Sequence, residues 1–291
     1  MQPRIAPGLS STSAELVAGR LTKAAKGPMP DFLARVVTSL HALVSETRPT
    51  RAQWCDAIAF LTEVGHASDE LRQEWVLLSD LLGVTALVED INSRRPAGAT
   101  PNTSRGAFHR PDAPRRALGS NLSLDGAGEP LRVKLRIRDL DGHPIPGATV
   151  ETWQANGQGL YENQFPDLQP DCNLRGIFTA SGAGDVHYTT VKPAGYGLPD
   201  DGPVGRLLRS IGYSPRRPAH LHFIVAADGF DTITTQVFDG DDPLLAQDAL
   251  FSVKPELVGD FGKVSAADGT ALHLLDFTFV MARAAARRHN S

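Results

Sequence analysis

Leu131-Arg132-Val133-Lys134-Leu135-Arg136-Ile137-Arg138 alternates apolar and basic residues without a break. Side chains two apart share a face of an extended chain, so this stretch reads as a strand with one dry and one wet face. Asp141-Gly142 then marks a turn. Downstream the same reading predicts short strands over residues 148–153, 177–180, 186–191, 221–226, 232–238 and 272–280, punctuated by Gly and Pro. Such a pattern predicts an antiparallel β-sandwich. Two long irregular stretches between strands, residues 154–175 and 193–218, exceed ordinary connections and are expected to carry function.

Upstream the period becomes helical. Phe32, Leu33, Val36, Val37, Leu40, Leu43 and Val44 recur at three and four residues behind Asp31, a candidate N-cap. A second helix starts at Thr50, where Thr50 and Gln53 have capping-box spacing, and carries Trp54, Ile58, Leu61 and Val64. A third is expected from near Ser68 through Leu71, Trp75, Leu78, Leu81 and Leu82 toward Gly83, its apolar character interrupted by Asp80. Residues 94–116, rich in Pro, Ala, Gly and Arg, read as a solvated linker. The expected organisation is therefore mainly β with a helical N-terminal region: residues 1–105 as the helical part, whose apolar helices are too many for one sandwich face to cover and so are expected to form a dimer interface, and residues 106–291 as the sandwich.

The 291 residues suffice for a substantial core. A net charge of -4 gives no general basic character for nucleic acid. Cys55 and Cys172 make no metal spacing and predict free thiols in a reducing compartment. Residues 1–8 lack the apolar core of a signal peptide, and no run is long enough for a bilayer span, so a cytoplasmic protein without membrane insertion is expected.

The chemistry concentrates in Arg217-Pro218-Ala219-His220-Leu221-His222-Phe223-Ile224-Val225. On a strand, His220 and His222 point the same way. Two of only four tyrosines, Tyr161 and Tyr196, lie in Gly/Pro-rich loops upstream. Taken singly, a strand His-x-His pair or a loop tyrosine is commonly structural. Two imidazoles with two phenols form a hard donor set that suits ferric iron better than zinc.

Leu140-Asp141-Gly142-His143-Pro144-Ile145-Pro146-Gly147-Ala148, Val150-Glu151-Thr152-Trp153-Gln154-Ala155-Asn156, Gly195-Tyr196-Gly197-Leu198-Pro199 and the Arg217–His222 segment resemble the intradiol ring-cleavage dioxygenases in order and spacing. The resemblance implies one Fe(3+) per subunit with Tyr161 and His220 as equatorial ligands and Tyr196 and His222 as axial ones. It also implies that Tyr196 leaves when the substrate binds, that Arg217 stabilises negative charge and that Gln236 supports the site. Pocket positions carried over are Leu77, Asp80, Gly106, Ala107, Phe108, Leu198, Pro199, Arg217 and Leu250. The implied partners are an aromatic diol or triol and O2, a second copy of the chain in a homodimer, and a lipid between the helices of the dimer interface.

Tyr161-Glu162-Asn163-Gln164 and Asn173-Leu174-Arg175-Gly176 look most like the hydroxyquinol-cleaving branch. Its substrate, 1,2,4-trihydroxybenzene, would give 3-hydroxy-cis,cis-muconate and then maleylacetate. Gln236, where that branch more often has His, and Ala107, where Pro is usual, depart from it and keep catechol or chlorocatechol open. Two readings of other classes stand beside these. One is a non-catalytic β-sandwich binding module. The other is a zinc hydrolase using His220 and His222, which lacks a third ligand at a telling spacing.

Overall fold

The computed structural model describes residues 13–24, 27–69, 73–213, 215–265, 269 and 271–284. By internal packing the chain divides into two units, residues 1–63 and 64–291. The helices are α1 (Ser13–Ala24), α2 (Pro28–Thr47), α3 (Arg51–His66), α4 (Glu74–Leu81) and α5 (Val84–Asn92), with α6 (Pro203–Ser210) later in the chain.

At α2 the entry differs from expectation. Gly27 is the cap and Pro28 opens the helix, so Asp31 sits inside the first turn, where its charge still favours the N-terminal dipole. The capping box before α3 forms: Thr50 N donates to Gln53 Oε1 (2.9 Å), and Gln53 N donates to Thr50 Oγ1 (3.2 Å). The third sequence-predicted helix is shorter than expected, being α4 alone; Leu71 lies outside the described residues. α4 stops where Gly83 takes φ +70, and α5 begins directly after it.

The strands are β1 (Pro130–Asp139), β2 (Thr149–Gln154), β3 (Arg175–Thr179), β4 (Asp185–Val191), β5 (Tyr196–Gly197), β6 (Arg216–Arg217), β7 (His220–Ala226), β8 (Ile233–Asp239), β9 (Val258–Gly259), β10 (Lys263–Ser265) and β11 (Ala271–Met281). One sheet runs β10-β11-β1-β4, a second β3-β2-β7-β8-β9, and β5 pairs only with β6. The sheets are mixed rather than purely antiparallel, because β1 pairs with β11, and β8 with β9, in parallel. Alternation betrays a strand and its dry face but not the direction of its partner. β11 returns beside β1 only after the whole intervening chain, and so long a connection allows either direction.

Leu131, Val133, Leu135 and Ile137 on β1 are buried, and Arg132, Lys134 and Arg136 between them are exposed. They share one core with Leu221, Phe223 and Val225 of β7 and Leu275, Phe279 and Met281 of β11. The rings of Phe223 and Phe279 meet across the two sheets at 5.0 Å. The fold is thus a two-layer sandwich whose β7 turns its other face, bearing His220 and His222, away from the core.

Residues 94–116 contain no helix or strand but are not a free linker. Thr103 N donates to Thr234 O (2.9 Å) and Arg116 N to Ile177 O (2.9 Å). The Arg95 guanidinium bonds Asn102 Oδ1 and the carbonyl of Thr232. Arg95, and Arg110 through Glu162 and Asp171, therefore tie this stretch to the rest of the chain, while Arg94, Arg105 and Arg115 are exposed as a solvated stretch would have them. Cys55 and Cys172 are free thiols.

Candidate active site and metal centre

β7 places His222 between two neighbours in register, Trp153 of β2 and Gln236 of β8. The Trp153 indole stacks on the His222 ring at 4.7 Å and 10° between planes, which fixes the imidazole. His220 Nδ1 lies 2.7 Å from Pro218 O. A carbonyl only accepts, so the proton sits on Nδ1 and the Nε2 lone pair is free. That Nε2 lies 3.1 Å from His222 Nε2, which lies 3.1 Å from the Tyr161 hydroxyl.

Tyr161 is reached through a loop held by Asn156, whose Oδ1 accepts from the backbone of Gln158 (2.9 Å) and Leu160 (3.0 Å). The next residue, Glu162, is tied to buried Arg175 and to Arg110. The Tyr196 loop packs directly against this one. Gly159 has φ +79, and a Cβ there would come within 2.9 Å of both Gly195 O and Tyr196 Cβ. The two phenol rings meet edge-on at 5.5 Å, and Tyr196 pairs in backbone register with Arg217. The four donors predicted from sequence therefore converge.

Tyr161, His220 and His222 are buried, while Tyr196 is half-buried. Burial raises the Tyr161 hydroxyl well above its ordinary pKa, and the neighbouring Tyr196 adds to the rise. Burial, helped by the Arg217 charge, pushes both imidazoles far down, so they are neutral lone-pair donors. Two neutral imidazole nitrogens and two phenol oxygens are a donor set that could hold ferric iron, because two phenolates can balance much of its charge.

Arg217 is buried beside this group. Its Nε donates to Asp248 Oδ1 (2.9 Å), Nη2 to Gln236 Oε1 (2.8 Å), and Nη1 lies 3.3 Å from His220 Nε2. Gln236 Nε2 donates to Ser104 O (3.1 Å). A cavity of about 260 Å³ opens over the centre. It is lined by Leu77, Asp80, Gly106, Ala107, Phe108, Leu198, Pro199, Arg217 and Leu250, together with Tyr196 and His222. Burial raises the Asp80 carboxyl, opposed by a bond from Thr85 and by the Arg217 charge. Sequence reasoning missed Gln73, Glu74, Val76 and Gln164 on the wall and Asp248 behind Arg217. Gln164 stood in a segment read as characteristic, but nothing local marked Asp248.

Residues 108–283 match the family described as dioxygenase, and residues 29–100 match the catechol dioxygenase N terminus. The chain belongs to the intradiol ring-cleavage dioxygenases. It is 48% identical over 255 residues to a hydroxyquinol 1,2-dioxygenase of Rhizobium sp. (strain MTP-10005), covering 88% of this chain and 86% of that protein. A 6-chlorohydroxyquinol 1,2-dioxygenase of Cupriavidus pinatubonensis is 40% identical over 91% of this chain and 94% of its own. Among solved structures, hydroxyquinol 1,2-dioxygenase from Pseudomonas putida DLL-E4 superposes with a TM-score of 0.88 at 34% identity, covering 94% of this chain and 100% of that one. Intradiol dioxygenases use non-haem iron. Among the described residues of this one, no helix is long and apolar enough to cross a membrane.

Proposed function

We propose that this intradiol dioxygenase cleaves hydroxyquinol with O2 between its adjacent hydroxylated carbons, giving 3-hydroxy-cis,cis-muconate, which tautomerises to maleylacetate. One Fe(3+) per subunit would be held by Tyr161, Tyr196, His220 and His222. Bound iron supplies Lewis acidity that favours the substrate as its dianion. The observation that carries the reading is the convergence of these four donors beneath a small cavity whose wall carries Asp80.

The residues divide the work by burial. Tyr161 is fully enclosed and is a permanent donor, whereas half-buried Tyr196 borders the cavity. Tyr196, when ionised, would take the proton of one substrate hydroxyl and leave the donor set as a neutral phenol. Arg217 keeps Nη1 beside the donor set, where a fixed guanidinium stabilises negative charge growing on the ring. Leu77, Phe108, Leu198, Pro199 and Leu250 make an apolar slot for the ring, and Gly106 and Ala107 keep its floor low.

Asp80 selects the substrate. A third ring hydroxyl donates to its carboxylate, while catechol leaves that group without the bond. A site built for a hydroxyl can reject the analogue lacking it by up to about 10⁴-fold. Asp80→Ala is expected to erase most of the preference in kcat/KM for hydroxyquinol over catechol. Unchanged selectivity in that variant, or a parent enzyme preferring catechol, would refute the assignment. Catechol is the second reading because Thr85 and the Arg217 charge already favour the ionised Asp80 carboxyl, which lowers its need for a substrate donor.

Gly106 offers a structural check on the same centre. It has φ +79, and a Cβ there would lie 2.9 Å from His222 Cε1. Gly106→Ala is expected to cost about 1–2 kcal/mol and to lower iron content by displacing the imidazole. Thermal unfolding and metal analysis read both effects.

The division into a helical part (residues 1–105) and a catalytic part (residues 106–291) belongs to the proposal, as does a homodimer built through the helices. Its support is the exposed apolar face of Phe32, Leu33, Leu40 and Leu43 on α2. A lipid between those helices and a cytoplasmic location complete it, the latter supported by the free thiols.

A further inference from the structure

The guanidinium of Arg217 offers five N–H donors, and their allocation is not symmetric. Nε donates to Asp248 Oδ1 (2.9 Å), and Nη2 donates to Gln236 Oε1 (2.8 Å) and Asp248 Oδ2 (3.3 Å). Only Nη1 is left facing the donor set, 3.3 Å from His220 Nε2. The Asp248 side chain is 2% exposed, so the pair sits where a two-point fork is strong and a stranded charge is costly. Asp248 is itself anchored. It follows the 3₁₀ turn Leu245–Gln247, its Oδ2 accepts from Ser252 N (2.9 Å), and the next residue, Ala249, donates its N–H to Arg216 O (3.0 Å).

We propose that Asp248 is the positioning residue for Arg217: its carboxylate takes the two inner edges of the guanidinium and leaves Nη1 as the edge aimed at the substrate. Gln236 alone supplies one acceptor, about which a planar fork can still pivot. Two further bonds from a carboxylate fixed by its own loop remove that freedom. The Asp248 carboxylate hydrogen-bonds Arg217 and the backbone of Leu250 and Ser252 rather than the tyrosine or histidine donors, so it acts on turnover through Arg217. This inference rests on the role given to Arg217 above.

Asp248→Asn is nearly isosteric but presents an NH2 to one of the Arg217 donors. It is expected to lower kcat by about 10²-fold, the loss that accompanies misplacement of a catalytic group by about 1 Å. Iron content, the visible absorption of the loaded protein and KM should stay near parental values. Introduced into Arg217→Ala, the same change should leave kcat within about twofold, since the effect runs through the missing guanidinium. It should also raise the unfolding temperature of the metal-free protein, because Arg217→Ala strands a buried carboxylate that Asn neutralises.

Parental kcat in Asp248→Asn, or an equal fold loss with and without Arg217, would overturn the assignment. If Asp248→Asn alone does not fold, the double variant decides: one less stable than Arg217→Ala would overturn it. Parental turnover in Arg217→Ala would instead refute the role of the arginine in the proposed function, so the two failures are distinct.

Discussion

His222→Ala is expected to lose most of its bound iron and with it all ring cleavage. His222 is the hinge of the donor set, with Nε2 at 3.1 Å from both His220 Nε2 and the Tyr161 hydroxyl. Its ring is clamped by Trp153 at 4.7 Å, so the position is prepared rather than recruited. Alanine leaves a buried gap and three protein donors, too few to hold a trivalent ion. Tyr161→Phe should behave alike, since it removes an enclosed oxygen. Tyr196→Phe should retain more iron yet change the visible absorption, because its half-buried phenol is the donor meant to leave. Metal analysis and absorption spectra of the purified variants check all three. Full iron occupancy with normal turnover in His222→Ala would remove this centre from the mechanism.

Arg217→Ala is expected to bind iron normally and to lose about 10²- to 10⁴-fold in kcat, since a preorganised donor removed from a water-excluded site costs at least about 10²- to 10³-fold. The guanidinium lies beside the donors at 3.3 Å without being one of them, which separates turnover from metal binding. Arg217→Lys should recover only part of the loss. A point ammonium cannot satisfy Asp248 and Gln236 together while still reaching the substrate. Steady-state kinetics beside metal analysis test this, and parental turnover in Arg217→Ala would make the residue structural.

Much of the architecture was legible because burial leaves a period. β1 shows it most plainly, with Leu131, Val133, Leu135 and Ile137 buried and Arg132, Lys134 and Arg136 exposed. On β7 the same logic sent Leu221, Phe223 and Val225 to the core and His220 and His222 to the opposite face. Strand direction was not legible, as the parallel β1–β11 pair shows. Nor was the role of residues 94–116, whose Gly, Pro and Arg suggest solvent but whose bonds staple them to the sandwich.

The donor set could be read because His-x-His on a strand and tyrosines in glycine loops leave a local mark. Asp80 was marked by its apolar helix. Asp248 was not, since a carboxylate in an ordinary-looking loop acquires meaning only when folding brings it to Arg217, 31 residues away in sequence. Gln236 was marginal for the same reason: alternation alone left its face undecided, and its burial beside Arg217 decides it.

Intradiol cleavage of hydroxyquinol at a ferric centre of two tyrosines and two histidines fixes where both atoms of O2 end up. Its most direct test is mass analysis of the product formed by the iron-loaded protein from hydroxyquinol under ¹⁸O2. One ring-opened dicarboxylate is expected, with one labelled oxygen in each new carboxylate and no requirement for an added reductant. A semialdehyde from cleavage outside the two adjacent hydroxyls, a product free of label, or an unaltered substrate would contradict it.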